Sequence, residues 1–199
     1  EHSHAAAEMA AAMAANKEVE ILMKGSLHTD ELLKAVLSHK ALRTGRRLSH
    51  VFRFDVPLYS KPLIITDAAI NIEPTLQEKV DIVQNAIDFA RVMGIETPKL
   101  AILSAVETVT ASIPSTLDAA ALCKMADRGQ ITGGLLDGPL AFDNAVSPDA
   151  VQIKGIVSEG AGAGPRRDVF SRSATWPPSP FAGDEYGRKR STRSDAGSL

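Results

Sequence analysis

Lys24, Gly25, Ser26, His28 and Thr29, in the stretch MKGSLHTDELL, combine residue types that can hold an anion. Lysine brings an ammonium, and glycine lets the backbone come close to a ligand. The hydroxyls and imidazole add donors in front of a run that reads as a helix, whose first N–H groups carry positive potential. The stretch lacks the longer glycine spacing of a nucleotide loop. Residue types alone therefore leave an ordinary turn open as the alternative, with Ser26 and Thr29 serving as helix caps.

Other candidates for chemistry are sparse. Asp67 and Asp137 close apolar runs, where a carboxylate can face a ligand or simply hold a turn through backbone N–H groups. The single Cys123 excludes an intramolecular disulfide, and its setting, AALCKMA, reads as a helix with a small buried side chain. The five histidines lack ligand spacing, so no metal site is expected.

The elements that would position these groups alternate. An alanine-rich opening, HSHAAAEMAAAMAANK, favours helix. Residues 19–23, VEILM, read as a short buried strand, and residues 24–28 as the loop into a helix from Thr29 to about Leu37. RLSHVFRFDV at 47–56 and LIITD at 63–67 read as two strands able to pair as a hairpin. Thr75 and Glu78 have capping-box spacing. They open a helix whose stripe of Leu76, Val80, Val83, Ile87 and Ala90 stops at Gly94. A strand at 99–104, a helix from 115 to about 128 and a strand at 131–137 follow. This alternation predicts an α/β fold with a largely parallel sheet covered on both faces, and ligands at the carboxyl ends of its strands. The ends at 24–26, 66–67, 104 and 137–138 are the candidate positions.

Across 199 residues, 44% hydrophobic and 23% charged, the composition suits one sizeable α/β domain or one plus part of another. No run is long and apolar enough to span a bilayer, and no secretory leader pattern opens the chain. A cytoplasmic protein without a membrane partner is expected. The formal net charge of −2 conceals a contrast. Residues 160–199 hold seven Lys and Arg against four Asp and Glu, whereas residues 1–159 hold fifteen against twenty. Such a mildly acidic body argues against a nucleic-acid partner. In residues 160–199, twenty-two of forty positions are Gly, Pro, Ser or Arg, with one Leu, one Val and no Ile. So little apolar surface predicts disorder.

Longer strings carry a resemblance. KGSLHTDELL, LRTGRRLSHVF at 42–52, LIITDAAINIEP at 63–74, DIVQNAIDFARVMGIETPKLAILSAVETV at 81–109 and GLLDGPLAFDNAVS at 134–147 together resemble the phosphate acetyl/butyryl transferase family. Their order and spacing match over about residues 1–159. The opening also resembles the phosphate acetyltransferase part of proteins that carry an enoyl-CoA hydratase domain upstream.

The resemblance implies a three-layer α/β/α fold of the isocitrate/isopropylmalate dehydrogenase type, present here as a fragment. Residues 1–45 would be the C-terminal part of a first α/β domain and residues 46–159 a second, through which a homodimer forms. The implied reaction moves an acetyl or butyryl group between coenzyme A and inorganic phosphate. Coenzyme A would be a substrate, acyl phosphate and phosphate the other ligands, and no metal or nicotinamide a cofactor. Lys24, Gly25, Ser26, His28 and Thr29 would contact acyl phosphate. Lys34 stands where relatives commonly carry arginine, and lysine lacks arginine's bidentate fork. Asp67 and Asp137 are possible cleft residues.

The resemblance breaks after Glu159. Relatives continue with an apolar strand, a Pro-Asp-Leu turn and a Ser-Arg segment followed by an aspartate that supply the main catalytic groups, whereas this chain reads GAGAGPRRDVFSRSATWPPSP. No catalytic residue is therefore assigned. The abrupt break, the loss of hydrophobicity and the Gly/Pro/Arg/Ala bias typical of GC-rich codons read out of frame predict a frame shift there, with impaired activity. The alternative is a non-catalytic dimerisation or binding domain left from such an enzyme.

Overall fold

The computed structural model describes residues 2–57, 61–67, 69–146 and 169–172, the last four through their backbone. Two compact units divide between Arg46 and Arg47.

The first unit is helical. Helix α1 (His2–Ala15) and helix α2 (Thr29–Ser38) are followed by a 3-10 turn (Lys40–Leu42). Ala7 and Ala11 lie one turn apart on α1 and are buried with Ala35 of α2, and Leu27, Leu32, Val36 and Leu42 pack around them. Small side chains at these positions allow close helix packing. The strand expected at residues 19–23 does not form, and Ile21 and Met23 are exposed. An apolar run becomes a strand only where a second strand takes up its backbone N–H and C=O groups. The described residues of this unit supply none.

The second unit carries a five-stranded sheet ordered β1-β2-β5-β3-β4. Strand β1 (Val51–Phe54) pairs antiparallel with β2 (Leu63–Thr66), so the expected hairpin pairing forms, with Val51 opposite Thr66. Thr75 caps α3 (Leu76–Val92) through a complete capping box with Glu78. Beyond its last turn Gly94 adopts φ 89°, a left-handed conformation that suits glycine. Strand β3 (Lys99–Leu103), helix α4 (Pro114–Asp127), strand β4 (Leu135–Leu140) and the short helix α5 (Phe142–Val146) follow.

Alternation along the strands sends side chains to two cores. Ile64, Leu100 and Ile102 pack with Val83, Ala86, Ile87 and Ala90 of α3 and Ala119 and Leu122 of α4. Leu63, Ala101 and Leu140 pack with Ala145 of α5 on the other face. The almost fully buried Lys79 pairs with Asp118 and ties α3 to α4. Gln84 of α3 anchors the approach to β4 by mimicking a strand: its Nε2 donates to the Thr132 carbonyl at 3.0 Å and its Oε1 accepts from Thr132 N–H at 2.9 Å.

Two sequence expectations need correction here. The strand expected at 131–137 begins only at Leu135, because Gly133 turns the chain with φ 85°, outside the β region. It then continues past Asp137 through Gly138 and Pro139. A Cβ at Gly138 would stand 2.7 Å from the Ile102 carbonyl oxygen, so only glycine fits where the β3–β4 register shifts. The second correction concerns the tail, expected to lack structure from residue 160 to 199. Within it, Val169–Arg172 forms β5, parallel to and between β2 and β3, with Phe170 aligned to both Ile65 and Ala101. The facing edges of β2 and β3 each present unpaired backbone groups, and four residues of any composition with an available backbone can satisfy them. The rest of that expectation, and residues 147–159 of the expected second domain, lie outside the described residues.

Candidate functional site

In the first unit, Lys24, Gly25, Ser26, His28 and Thr29 are all exposed around the start of α2. Lys24 curls back so that its Nζ donates to the carbonyl of Leu27 at 2.5 Å and of Gly25 at 3.2 Å, which closes the loop from within. His28, with φ −67° and ψ 139°, occupies the N-cap position and makes no side-chain cap hydrogen bond. Thr29 is the first helical residue, so neither it nor Ser26 stands at the cap. Thus the first N–H groups of α2 lack a side-chain acceptor from the cap residue, the condition an incoming anion exploits. Asp30 and Glu31 in the first turn suit the helix dipole but would oppose an anion at that end. Lys34 pairs with Asp30 at 3.7 Å on an exposed face. A Cβ at Gly25 would meet no atom within 4 Å. Neither crowding nor a left-handed backbone angle demands glycine there.

In the second unit, the polar groups gather where the chain leaves the strands. Asp67, just after β2, accepts from the N–H groups of Ala69 and Ile70, each at 3.1 Å, and of Asn71 at 3.2 Å, and also from the Asn71 side chain. Burial pushes its carboxyl up, but these bonds and one from the His50 backbone outweigh burial and hold it below the usual carboxylate value. Asn71 passes the network on: its amide donates to the Leu48 carbonyl at 3.0 Å, and its oxygen accepts from Arg47 Nε at 2.8 Å. Arg47 also meets Glu78 at 3.0 Å. Backbone and side-chain bonds from Thr75, with the Arg47 charge adding to them, hold the Glu78 carboxyl below its ordinary value. Asp67 is thereby committed to fixing the turn after β2.

Asp137 was expected at a strand end. It is instead the third residue of β4, aligned with Ala101 inside the ladder, because the strand extends through Gly138 and Pro139. The polar residues at the carboxyl ends of β3 and β4 are others. Ser104 donates its N–H to the Leu140 carbonyl at 2.9 Å, stitching the two ends together, and its hydroxyl lies 2.7 Å from that of Ser115 on α4. Three residues further on, Glu107 accepts from the side-chain amide of Asn144 on α5. Of these, only Ser104 was legible as a strand end. Ser115, Glu107 and Asn144 lie in helices or loops, and their only signal was that they follow β3 and β4 closely.

Among the described residues, no group of three or more His, Cys, Asp or Glu could hold a metal ion, and no helix is long and apolar enough to cross a membrane.

The elements define a mixed α/β protein, with a helix start lacking a side-chain cap in its first unit and polar groups near strand carboxyl ends in its second. The chain belongs to the phosphate acetyl/butaryl transferase family, whose sequence pattern matches residues 2–165 and so runs past Glu159. It is 64% identical over 162 residues to a phosphate acetyltransferase of Rhizobium meliloti, covering 81% of this chain and 51% of that protein. It is 44% identical over 166 residues to a phosphate butyryltransferase of Clostridium acetobutylicum, covering 83% and 54%. A crystal structure of a branched-chain phosphotransacylase from Enterococcus faecalis V583 superposes with a TM-score of 0.74 at 30% identity, over 85% of this chain and 59% of that one. The EutD phosphotransacetylase from Staphylococcus aureus, with TM-score 0.68 at 20% identity over 85% and 51%, shares the fold. The chain spans about half the length of the curated relatives it matches.

Proposed function

We propose that this chain is the acyl-phosphate-holding part of a phosphate acyltransferase that moves an acetyl or butyryl group between coenzyme A and inorganic phosphate. Family membership supports the reaction, and the observation that carries the site is the uncapped start of α2 beside Lys24 and Gly25. In the acyl-phosphate direction, the coenzyme A thiol, with a reference pKa of about 8.5, loses its proton and attacks the acyl carbonyl. The carbon–oxygen bond to phosphate breaks, and the thioester and inorganic phosphate leave, the phosphate ending with the proton that the thiol gave up. Residues 24–29 hold the phosphoryl group: Lys24 releases its loop carbonyls to meet the charge, the first N–H groups of α2 and the Ser26 and Thr29 hydroxyls donate, and Gly25 lets the backbone approach. Lys34 adds a point charge without arginine's fork. This holds the carbonyl in line for attack.

The same reading takes the three-layer α/β/α architecture to be of the isocitrate/isopropylmalate dehydrogenase type, in a cytoplasmic homodimer that uses coenzyme A as substrate and has no resident cofactor. Asp67 and Asp137 remain candidate cleft residues, Asp67 through the turn it fixes. It also takes residues from 160 onward to be read in an altered frame, with impaired activity expected from that change. Resequencing the codons from Val157 onward tests this: a one- or two-base correction restoring a Pro-Asp-Leu turn and a Ser-Arg segment is expected, and a confirmed frame overturns it.

Coenzyme A-dependent release of phosphate from acetyl phosphate tests the activity, with turnover expected to disappear in Ser26→Ala. A second reading, a non-catalytic domain that only dimerises, draws on the edge strand β1. There Phe52 and Phe54 are each about two-fifths exposed, with ring centroids 5.5 Å apart. Absence of turnover together with a stable dimer that Phe52→Glu dissociates would establish that reading instead.

A further inference from the structure

Asn144 is 3% exposed, and its side chain is only half satisfied. Nδ2 donates to a Glu107 carboxylate oxygen, while Oδ1 is buried with no hydrogen-bond partner among the described residues. Proteins seldom bury a carbonyl oxygen without a donor, and each exception calls for an explanation, a catalytic role or a bound water or ion among them. The amide cannot escape by flipping, since exchanging O and N would turn a carbonyl oxygen toward the carboxylate of Glu107. The orphan therefore has a fixed direction, set by a bond that spans 37 residues of chain.

Its position is informative. Asn144 follows the end of β4, Glu107 follows the end of β3, and the Ser104 N–H to Leu140 carbonyl bond joins those two ends. Ligands of parallel sheets collect outside strand carboxyl ends. Phe142 and Asp143, on the same short helix, are exposed, whereas Asn144 is buried. The chemistry offered is that of an acceptor: a carbonyl oxygen beside a carboxylate. A phosphate brings further acceptors, which a carbonyl oxygen cannot satisfy. A neutral N–H donor fits.

We propose that Asn144 Oδ1 accepts a hydrogen bond from an N–H group of coenzyme A, either a pantetheine amide or the adenine amino group, with Glu107 acting as a positioning residue that aims the amide. This rests on the reading that the chain handles coenzyme A. It adds to that reading a second recognition point, of opposite character to the phosphate loop.

Titration calorimetry of the full chain with coenzyme A, pantetheine, adenosine 3′,5′-bisphosphate and acetyl phosphate tests it in the wild type and in Asn144→Leu, a near-isosteric change that deletes the acceptor. Coenzyme A affinity is expected to fall about tenfold while acetyl phosphate affinity holds, the loss of one buried hydrogen bond. The same loss with pantetheine identifies the amide as donor, and with the bisphosphate, the adenine. Unchanged coenzyme A affinity in the variant, or equal losses for coenzyme A and acetyl phosphate with a lowered melting temperature, overturns the assignment while the acyltransferase reading stands. A wild-type chain that binds no coenzyme A removes both. Should Asn144→Leu fail to fold, coenzyme A analogues N-methylated at the pantetheine amides or lacking the adenine amino group replace it: tenfold weaker binding of one supports the proposal, and wild-type affinity for both overturns it.

Discussion

The Asp67 carboxylate and the Asn71 side-chain amide close on each other across the turn that follows β2, and the same carboxylate gathers the N–H groups of residues 69–71. Removing it leaves the buried Asn71 N–H and the less buried N–H groups of Ala69 and Ile70 without that acceptor. Asp67→Ala is expected to cost about 2 kcal/mol of folding stability, measured by urea unfolding at neutral pH. The folded carboxyl lies below its ordinary value of 3.8, so its contribution is complete above that value and is lost as the pH falls through the folded pKa. Stability of the variant should therefore fall less steeply than that of the wild type below about pH 4.

Gly25 is unconstrained by the protein around it, since a Cβ there meets nothing within 4 Å. Gly25→Ala should leave the melting temperature unchanged and, if the backbone approaches an acyl phosphate at this point, weaken acetyl phosphate binding about tenfold, or about 1.4 kcal/mol, by calorimetry. Retained affinity would place the ligand elsewhere.

Thr75 and Glu78 satisfy each other's backbone N–H groups at the start of α3. Thr75→Ala is expected to lower stability by about 1 kcal/mol. The bonds from Thr75 are also what chiefly depresses the Glu78 carboxyl below 4.5. That contribution is present above the ordinary glutamate range and disappears as the pH falls through the folded pKa. Carboxyl titration followed by NMR should show Glu78 moving part of the way up in the variant, which loses the Thr75 hydroxyl bond and keeps the backbone N–H bond.

The position of β5 between β2 and β3 makes its backbone essential to the sheet. Phe170→Pro removes an N–H from the middle of the ladder, where proline is not accommodated. Hydrogen exchange should show lost protection in both Leu63–Thr66 and Lys99–Leu103, with the loss of stability exceeding the roughly 1 kcal/mol of a single hydrogen bond. Unchanged protection would mean that β2 and β3 hold without it.

Features written within a few residues of one another were legible in the sequence. The capping box at Thr75 and Glu78, the α3 stripe ending before Gly94, the β1–β2 pairing and the loop ahead of α2 are all set by local spacing or by adjacency in the chain. The family was legible too, because its strings run long and in order. What escaped depends on partners far away. Residues 19–23 have strand composition and form no strand, while Val169–Arg172, in a segment too polar and glycine-rich to suggest one, lies in the middle of the sheet. Gly133 delayed β4, which carried Asp137 from the expected strand end into the ladder. The bond between Asn144 and Glu107 could not be read from either residue's neighbours. Helix starts and stops are decided by hydrogen bonds three or four residues apart, so the sequence determines them by itself. A strand, or a buried amide with one half satisfied, is defined by groups that only tertiary folding brings within hydrogen-bonding distance.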